Sequence, residues 1–172
     1  MEFLEKDLEE IIFNASDKDL NKKGLSSFSS WRSVTKRKRQ LKIGNYGIAD
    51  MVTFERVKLY PDKRRKKPYR SKLIITVYEL KKDAISVSAF FQALRYVKGI
   101  KRYLSCRNNF GFDIEYKIVL IGRQDLSTET DVIYLNDIFD NVELYGYNYS
   151  IDGLKFKSLS AYCLIKEGFK ND

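Results

Sequence analysis

The fold is decided by the nine residues 72–80, which read Lys-Leu-Ile-Ile-Thr-Val-Tyr-Glu-Leu. This run is almost continuously apolar and rich in β-branched side chains, which predicts a central strand that is covered on both faces. Together with the helices and strands predicted around it, this strand indicates a mixed α/β domain. Glu79 stands at the end of this strand.

Helices and strands are predicted on both sides of that run. Apolar residues recur at helical spacing over residues 2–14 and 85–104. Strand-like patterns cover 38–44, 48–58 and 114–121, with a turn at 44–47 between the first two. Between these elements, 15–35 is predicted as a polar loop with a short helical turn, and 131–170 as several short strands.

The resulting order of elements is α-β-β-β-α-β, followed by a β-rich C-terminal extension. We expect one domain over 1–172, with its core at about 2–122 and the extension at about 123–172. At 44% hydrophobic and 32% charged residues, the composition is that of a globular protein rather than a disordered one.

The residues that are absent exclude several kinds of chemistry. The chain has no histidine, which rules out a Ser-His-Asp triad, a Cys-His pair and a zinc site that contains histidine. Its two cysteines, Cys106 and Cys163, are far apart and form no CxxC motif, as expected for a reduced intracellular protein. Acid, base and metal chemistry is therefore left to carboxylates, lysines and water.

The N-terminal residues and the hydropathy predict a cytoplasmic protein with no membrane partner. Residues 1–6 are acidic and do not resemble a signal peptide. No apolar run approaches the ~20 residues that cross a bilayer. The richness in Lys, Ile, Asn and Tyr is typical of an AT-rich genome, such as that of a phage or mobile element.

The positive charge is concentrated in one segment. The chain carries a net charge of +9, but residues 32–72 hold 15 Lys or Arg against three acids, so this segment is +12 and the rest is −3. Pro61 and Pro68 bracket a basic tip, which predicts an exposed hairpin arm. Because lysines and arginines displace counterions from a nucleic-acid backbone, we expect nucleic acid as the partner. The predicted phosphate contacts are Lys36, Arg37, Lys38, Arg39, Lys63, Arg64, Arg65, Lys66 and Lys67.

A small set of charged residues is placed for metal-assisted hydrolysis. Glu79 and Lys81 are two positions apart, so they share a face at the end of the apolar strand. Asp50 lies in the preceding strand between Ala49 and Met51, where a charge must be solvated, paired or bound to a metal. Two carboxylates on adjacent strands can hold Mg²⁺, and a neighbouring lysine can polarise a water.

A second Glu-x-Lys pair is present at Glu115 and Lys117. It precedes its apolar run instead of following it, and a polar loop comes after its strand. We interpret it as the solvated start of a strand.

Four short motifs occur in the order that one nuclease superfamily uses. They are Glu5-Lys6-Asp7-Leu8, Gly47-Ile48-Ala49-Asp50, Val77-Tyr78-Glu79-Leu80-Lys81 and Phe91-Gln92-Ala93-Leu94-Arg95-Tyr96. Over about residues 2–104 the chain resembles the PD-(D/E)XK nucleases, in particular Holliday-junction resolvases and mismatch- or structure-specific endonucleases. It departs from the motif where Ala49 replaces the proline of the superfamily name.

The resemblance implies a restriction-endonuclease-like core and a Mg²⁺- or Mn²⁺-dependent DNA endonuclease. It implies that Asp50 and Glu79 are metal ligands, with the carbonyl of Leu80 as a third, and that Lys81 positions the attacking water. Related nucleases often act in pairs, so a homodimer is a further expectation.

Two more site residues and one contact follow from the same resemblance. Glu5 would be an outer carboxylate or a ligand of a second metal ion, and the helical wheel places it nearer the apolar face than Glu9. Gln92 would orient the site. Tyr96, one turn further on, is expected to contact nucleic acid.

Two other functions stay open. The same scaffold could bind nucleic acid without cutting it, or it could be a protein-interaction module such as an inhibitor of a host defence. The residues do not choose between duplex, junction, single-stranded DNA and RNA as the substrate.

Overall fold

The structure is a computed structural model that describes residues 4–26, 34–59, 70–106, 113–124, 130–151 and 153–159. Its helices are α1 (Glu5–Asn14), α2 (Asp17–Lys22), α3 (Val87–Ser105), α4 (Thr130–Ile133) and α5 (Leu135–Ile138). Its strands are β1 (Val34–Lys42), β2 (Ile48–Leu59), β3 (Arg70–Leu80), β4 (Asp113–Arg123), β5 (Val142–Ser150) and β6 (Gly153–Ser158). A 3₁₀ turn, Gly44–Tyr46, joins β1 to β2.

These strands form one mixed sheet whose order follows the chain, β1-β2-β3-β4-β5-β6. The pairs β1–β2, β2–β3 and β5–β6 are antiparallel, whereas β3–β4 and β4–β5 are parallel. A parallel step needs a crossover connection. Helix α3 makes the first crossover, and α4 with α5 lies in the second. The prediction of an α/β fold is confirmed.

Each face of the sheet has its own hydrophobic core, as the apolar run 72–80 predicts. On one face, Ile75 and Val77 pack with Phe90 and other buried residues of α3. On the other face, Tyr78 and Leu80 pack with residues of α1 and α2 and with the strand residues Phe156 and Ile121. Strand β3 is thus covered on both sides.

Most predicted elements are confirmed, and the C-terminal region differs. The first helix, the hairpin strands, the central strand, the long helix and the fourth strand are all present. Residues 130–138 form short helices instead of strands, and β5 and β6 extend the same sheet. The predicted hairpin arm, with Lys63, Arg64, Arg65, Lys66 and Lys67, lies outside the described residues, as does Cys163. None of the described helices is long and apolar enough to cross a membrane.

Arg37 holds the first helices against the edge of the sheet. Its guanidinium donates to the carbonyls of Ile12, Phe13 and Ala15 at 3.0, 3.1 and 2.7 Å, at the C-terminal end of α1. It also pairs with Asp17, and only 13% of its side chain is exposed. Carbonyls at the end of a helix lack intrahelical partners, so a cation there is stabilising. The expectation that Arg37 contacts phosphate is therefore corrected: its donors are engaged inside the protein.

We predict that Arg37→Met destabilises the protein by about 2–4 kcal/mol, because it leaves buried carbonyls and Asp17 without their donor. Urea unfolding at neutral pH measures this change. The matched control is Lys38→Met, an exposed neighbour, which should alter stability by less than about 0.5 kcal/mol. An unchanged midpoint for Arg37→Met, together with weaker DNA binding, would contradict the structural role.

Candidate active site

The site lies where the β2–β3 ladder ends. The last backbone pair is Met51 with Tyr78, and beyond it the Leu80 N–H donates to Asp50 Oδ2 at 2.8 Å. On the other edge of β3 the pairing continues, since the Lys81 N–H donates to the Ile121 carbonyl at 2.8 Å. Asp50 therefore takes the position that a backbone carbonyl of β2 would otherwise fill.

Glu79 is a fully buried carboxylate with one unsatisfied oxygen. It continues the row of Ile75 and Val77, and none of its surface is exposed. Its Oε1 accepts from Lys81 Nζ at 2.7 Å, whereas its buried Oε2 has no hydrogen-bond partner. Buried polar atoms are nearly always paired, so this oxygen indicates a position for a ligand that the polypeptide does not supply.

Burial and crowding disfavour ionisation of both carboxylates. Burial raises the pKa of Asp50 to about 6, against the opposing effects of the Leu80 N–H and Lys81. Burial, and then the charge of Asp50, raises the pKa of Glu79 to about 7. Burial lowers the pKa of Lys81, but its bond to Glu79 and the nearby carboxylates outweigh that effect, so the net direction is upward. The lysine is thus held as a cation beside two carboxylates.

Helix α1 brings two more carboxylates towards this end of the sheet. Glu5 is near enough to influence the pKa values of Asp50, Glu79 and Lys81, and its Oε2 accepts from the Lys82 N–H at 3.4 Å. The structure therefore brings together Glu5, Asp50, Glu79 and Lys81, as the sequence predicts.

Glu9 is a member of this cluster that sequence reasoning missed. It is 8% exposed and accepts from Gln40 Nε2 at 2.6 Å, and its charge also raises the pKa of Asp50. Gln40 has a φ of 48°, a conformation that non-glycine residues rarely adopt. The sequence spacing could have predicted this, because Glu9 is four residues from Glu5 and so lies one turn further along the same side of α1.

Gln92 and Tyr96 form a separate pair on α3. Gln92 Nε2 donates to the Tyr96 hydroxyl at 2.8 Å. Tyr96 is 2% exposed and belongs to the core between α3 and the sheet. This burial corrects the expectation that Tyr96 contacts nucleic acid: its role is to pack and to hold Gln92. The described contacts of Gln92 join it to Tyr96 rather than to the carboxylates.

The members of the first basic cluster differ in exposure. Lys36, Lys38 and Arg39 are exposed, and the Arg39 guanidinium lies 5.4 Å from the centre of the Phe13 ring. Of the four residues 36–39, only Arg37 is withdrawn into the structure. For Lys36, Lys38 and Arg39, contact with phosphate stays a prediction.

The ligand set for a metal is small. Across the part of the chain that the structure describes, no group of three or more Asp, Glu or Cys residues is arranged to hold a metal ion. What the site offers is Asp50, Glu79 and the Leu80 carbonyl. This set fits Mg²⁺, which commonly uses one or two carboxylates and keeps several of its waters.

Comparisons with family models, with curated proteins and with solved structures find no match to this chain.

We predict that Glu79→Gln makes the metal-free protein more stable at pH 8, by about 1–3 kcal/mol. A carboxyl whose pKa is raised by folding favours the fold most at low pH, and this contribution is lost as the pH rises from about 4.5 to about 7. Glutamine cannot ionise, so the gain should disappear near pH 4. Thermal unfolding in EDTA across this range measures it.

The control is Glu115→Gln, which removes a partly exposed glutamate paired with Lys72 on the neighbouring strand and should give no gain at pH 8. A Glu79→Gln protein that is less stable than wild type at pH 8 would mean that the charge of Glu79 is favourable in the fold.

Proposed function

We propose that this protein is a Mg²⁺- or Mn²⁺-dependent nuclease that hydrolyses phosphodiester bonds of DNA, acting as an endonuclease. The observation that carries the proposal is the buried Glu79 Oε2, which has no partner although Asp50 and Lys81 lie beside it. A buried carboxylate with an unpaired oxygen, next to a second, partly buried carboxylate, is costly in a metal-free protein and well suited to a divalent cation.

Asp50, Glu79 and the Leu80 carbonyl would hold the cation. The N–H and the carbonyl of one strand residue point to the same edge, and the Leu80 N–H already faces Asp50. When bound, Mg²⁺ would polarise a phosphoryl oxygen and lower the pKa of a coordinated water.

Lys81 is placed to act on the water and on developing charge. Its Nζ donates to Glu79 Oε1 at 2.7 Å, and 27% of its side chain remains exposed. Hydrolysis forms a bond from the water oxygen to phosphorus, breaks one P–O ester bond and places a proton on the leaving oxygen. The ammonium of Lys81 would orient the water and stabilise the negative charge that develops on the phosphoryl oxygens.

The arrangement of elements supports the assignment to the PD-(D/E)XK superfamily. In the order α1, α2, β1, β2, β3, α3, β4, residues Glu5, Asp50 and the Glu79–Lys81 pair lie at one end of the sheet. We propose that this part of the chain is a restriction-endonuclease-like core. Gln92 would then act from α3 through its bond to Tyr96.

The second Glu-x-Lys pair provides an internal control. Glu115 pairs in register with Ile74 of β3, five residues before Glu79, so it lies towards the opposite end of the sheet. Its carboxylate contacts Lys72 and Lys117, and Lys117 also approaches Glu143. The motif is the same, but its carboxylate has several lysine partners and no neighbouring Asp50.

We predict that Lys81→Met lowers the rate of plasmid cleavage in Mg²⁺ by about 10²–10⁴-fold, because the water loses its positioning group. Asp50→Asn and Glu79→Gln should lose at least as much, since each removes a metal ligand. Agarose-gel assays of supercoiled plasmid and branched DNA, with Mg²⁺ and with EDTA, measure these rates.

The matched control is Lys117→Met, which should cleave at close to the wild-type rate. Full activity of Lys81→Met, or equal cleavage in EDTA, would contradict the proposal. Binding that weakens with salt while no product forms would favour the non-catalytic function instead.

A further inference from the structure

We propose that the exposed basic face of α3 binds the phosphate backbone of DNA and leads it to Asp50. This inference rests on the proposed function for its choice of DNA, and it concerns residues outside the two clusters that the sequence singles out. Its members are Arg95, Lys98, Lys101 and Arg102, and we call them the α3 basic face.

The α3 basic face is one continuous stripe. Helix α3 contains no Asp or Glu over its 19 residues, and all four basic residues are exposed. At about 100° per residue they fall within a sector of about 120°, and they extend along about 10 Å of helix. The exposed Phe91 lies in the same sector, one turn before Arg95.

The charges of this face are available to an external anion. None of the four forms an ion pair with a carboxylate among the described residues. Their contacts are with aromatic groups: Arg95 lies over the Tyr96 ring, Lys101 lies 4.8 Å from the centre of the Tyr116 ring, and Arg102 donates to the Tyr46 hydroxyl at 3.4 Å. Aromatic contacts orient a cation without neutralising it.

The turn between β1 and β2 builds one wall of a surface depression over this face. The depression has a volume of about 790 Å³ and is lined by the four basic residues together with Asn45, Tyr46 and apolar residues of α3. Gly99 makes this packing possible, because a Cβ at that position would lie 2.6 Å from Ile43 and 2.7 Å from Tyr46. The stripe is therefore a shaped groove with a polar turn beside it.

The groove begins next to the strand that carries the candidate metal ligand. Gly47, at a φ of 113°, sits against α3, and a Cβ there would be 3.5 Å from Arg95 Nη2. Asp50 follows three residues later on β2, about 10 Å along an extended chain. A phosphate backbone lying on the α3 basic face thus reaches the end of the β2–β3 ladder.

The test is DNA binding in EDTA, where no metal-dependent cleavage interferes. We predict that Lys98→Gln/Lys101→Gln weakens binding of a short fluorescent duplex roughly 10- to 50-fold at about 100 mM salt. The slope of log K against log salt should fall by about 1.8, since each phosphate contact contributes about 0.9. Fluorescence anisotropy over about 50–200 mM salt gives both values.

The matched control is Lys18→Gln/Lys22→Gln, which removes the same charge from exposed positions of α2. It should keep the wild-type salt slope, and circular dichroism should show both variants folded. Equal losses in the two variants, or an unchanged slope for the α3 variant, would overturn the inference. A loss confined to an RNA duplex of the same sequence would overturn the choice of DNA.

The outcome is separable from that of the nuclease proposal. Binding that depends on α3, with no cleavage in Mg²⁺, would support this interface and reject the nuclease. Cleavage that is unaffected by Lys98→Gln/Lys101→Gln would reject this interface and leave the nuclease standing.

Discussion

The hydrogen bond from the Leu80 N–H to the Asp50 carboxylate determines what one end of the sheet can do. It replaces a backbone pair at the point where β2 leaves β3, so a partly buried carboxyl group stands at the end of the ladder. Glu79 is then buried beside Asp50, and Lys81 can satisfy only one of its two oxygens. Because a side chain replaces a backbone pair here, two carboxyl groups lie close together, which is electrostatically costly. The same arrangement suits a divalent cation.

The rest of the fold supports this arrangement from both faces. Helix α1 covers one face and brings Glu5 and Glu9 near Asp50, while Arg37 fixes the end of α1 on β1. Helix α3 covers the other face and carries positive charge along its outer side. The acidic residues thus cluster at one end of the sheet, and basic residues lie on the outer side of α3. This distribution suits a site that binds a metal cation and a polyanion together.

The fold was predictable from the sequence to the extent that it depends on apolar periodicity. The run 72–80 predicts β3, and the switch to helical spacing after Ile85 predicts α3. The helices over 130–138 are only four residues each, too short to establish a period. The spacing of Asp50, Glu79 and Lys81 predicted the centre of the candidate site. The sequence did not reveal the roles of Arg37, Tyr96 and Glu9, because each depends on tertiary packing. The partners of Arg37 are 20 or more residues away, and Tyr96 lies in the core. Glu9 is bonded by Gln40, which belongs to another element.

The proposed activity depends most directly on a divalent cation between Asp50 and Glu79. A crystal structure with Mn²⁺ soaked in, with the ion located by its anomalous scattering, tests this claim. We expect one peak about 2 Å from a carboxylate oxygen of Asp50 and from Glu79 Oε2, with the Leu80 carbonyl also in contact. No peak at this site at saturating Mn²⁺, with Glu79 still bonded only to Lys81, would contradict it.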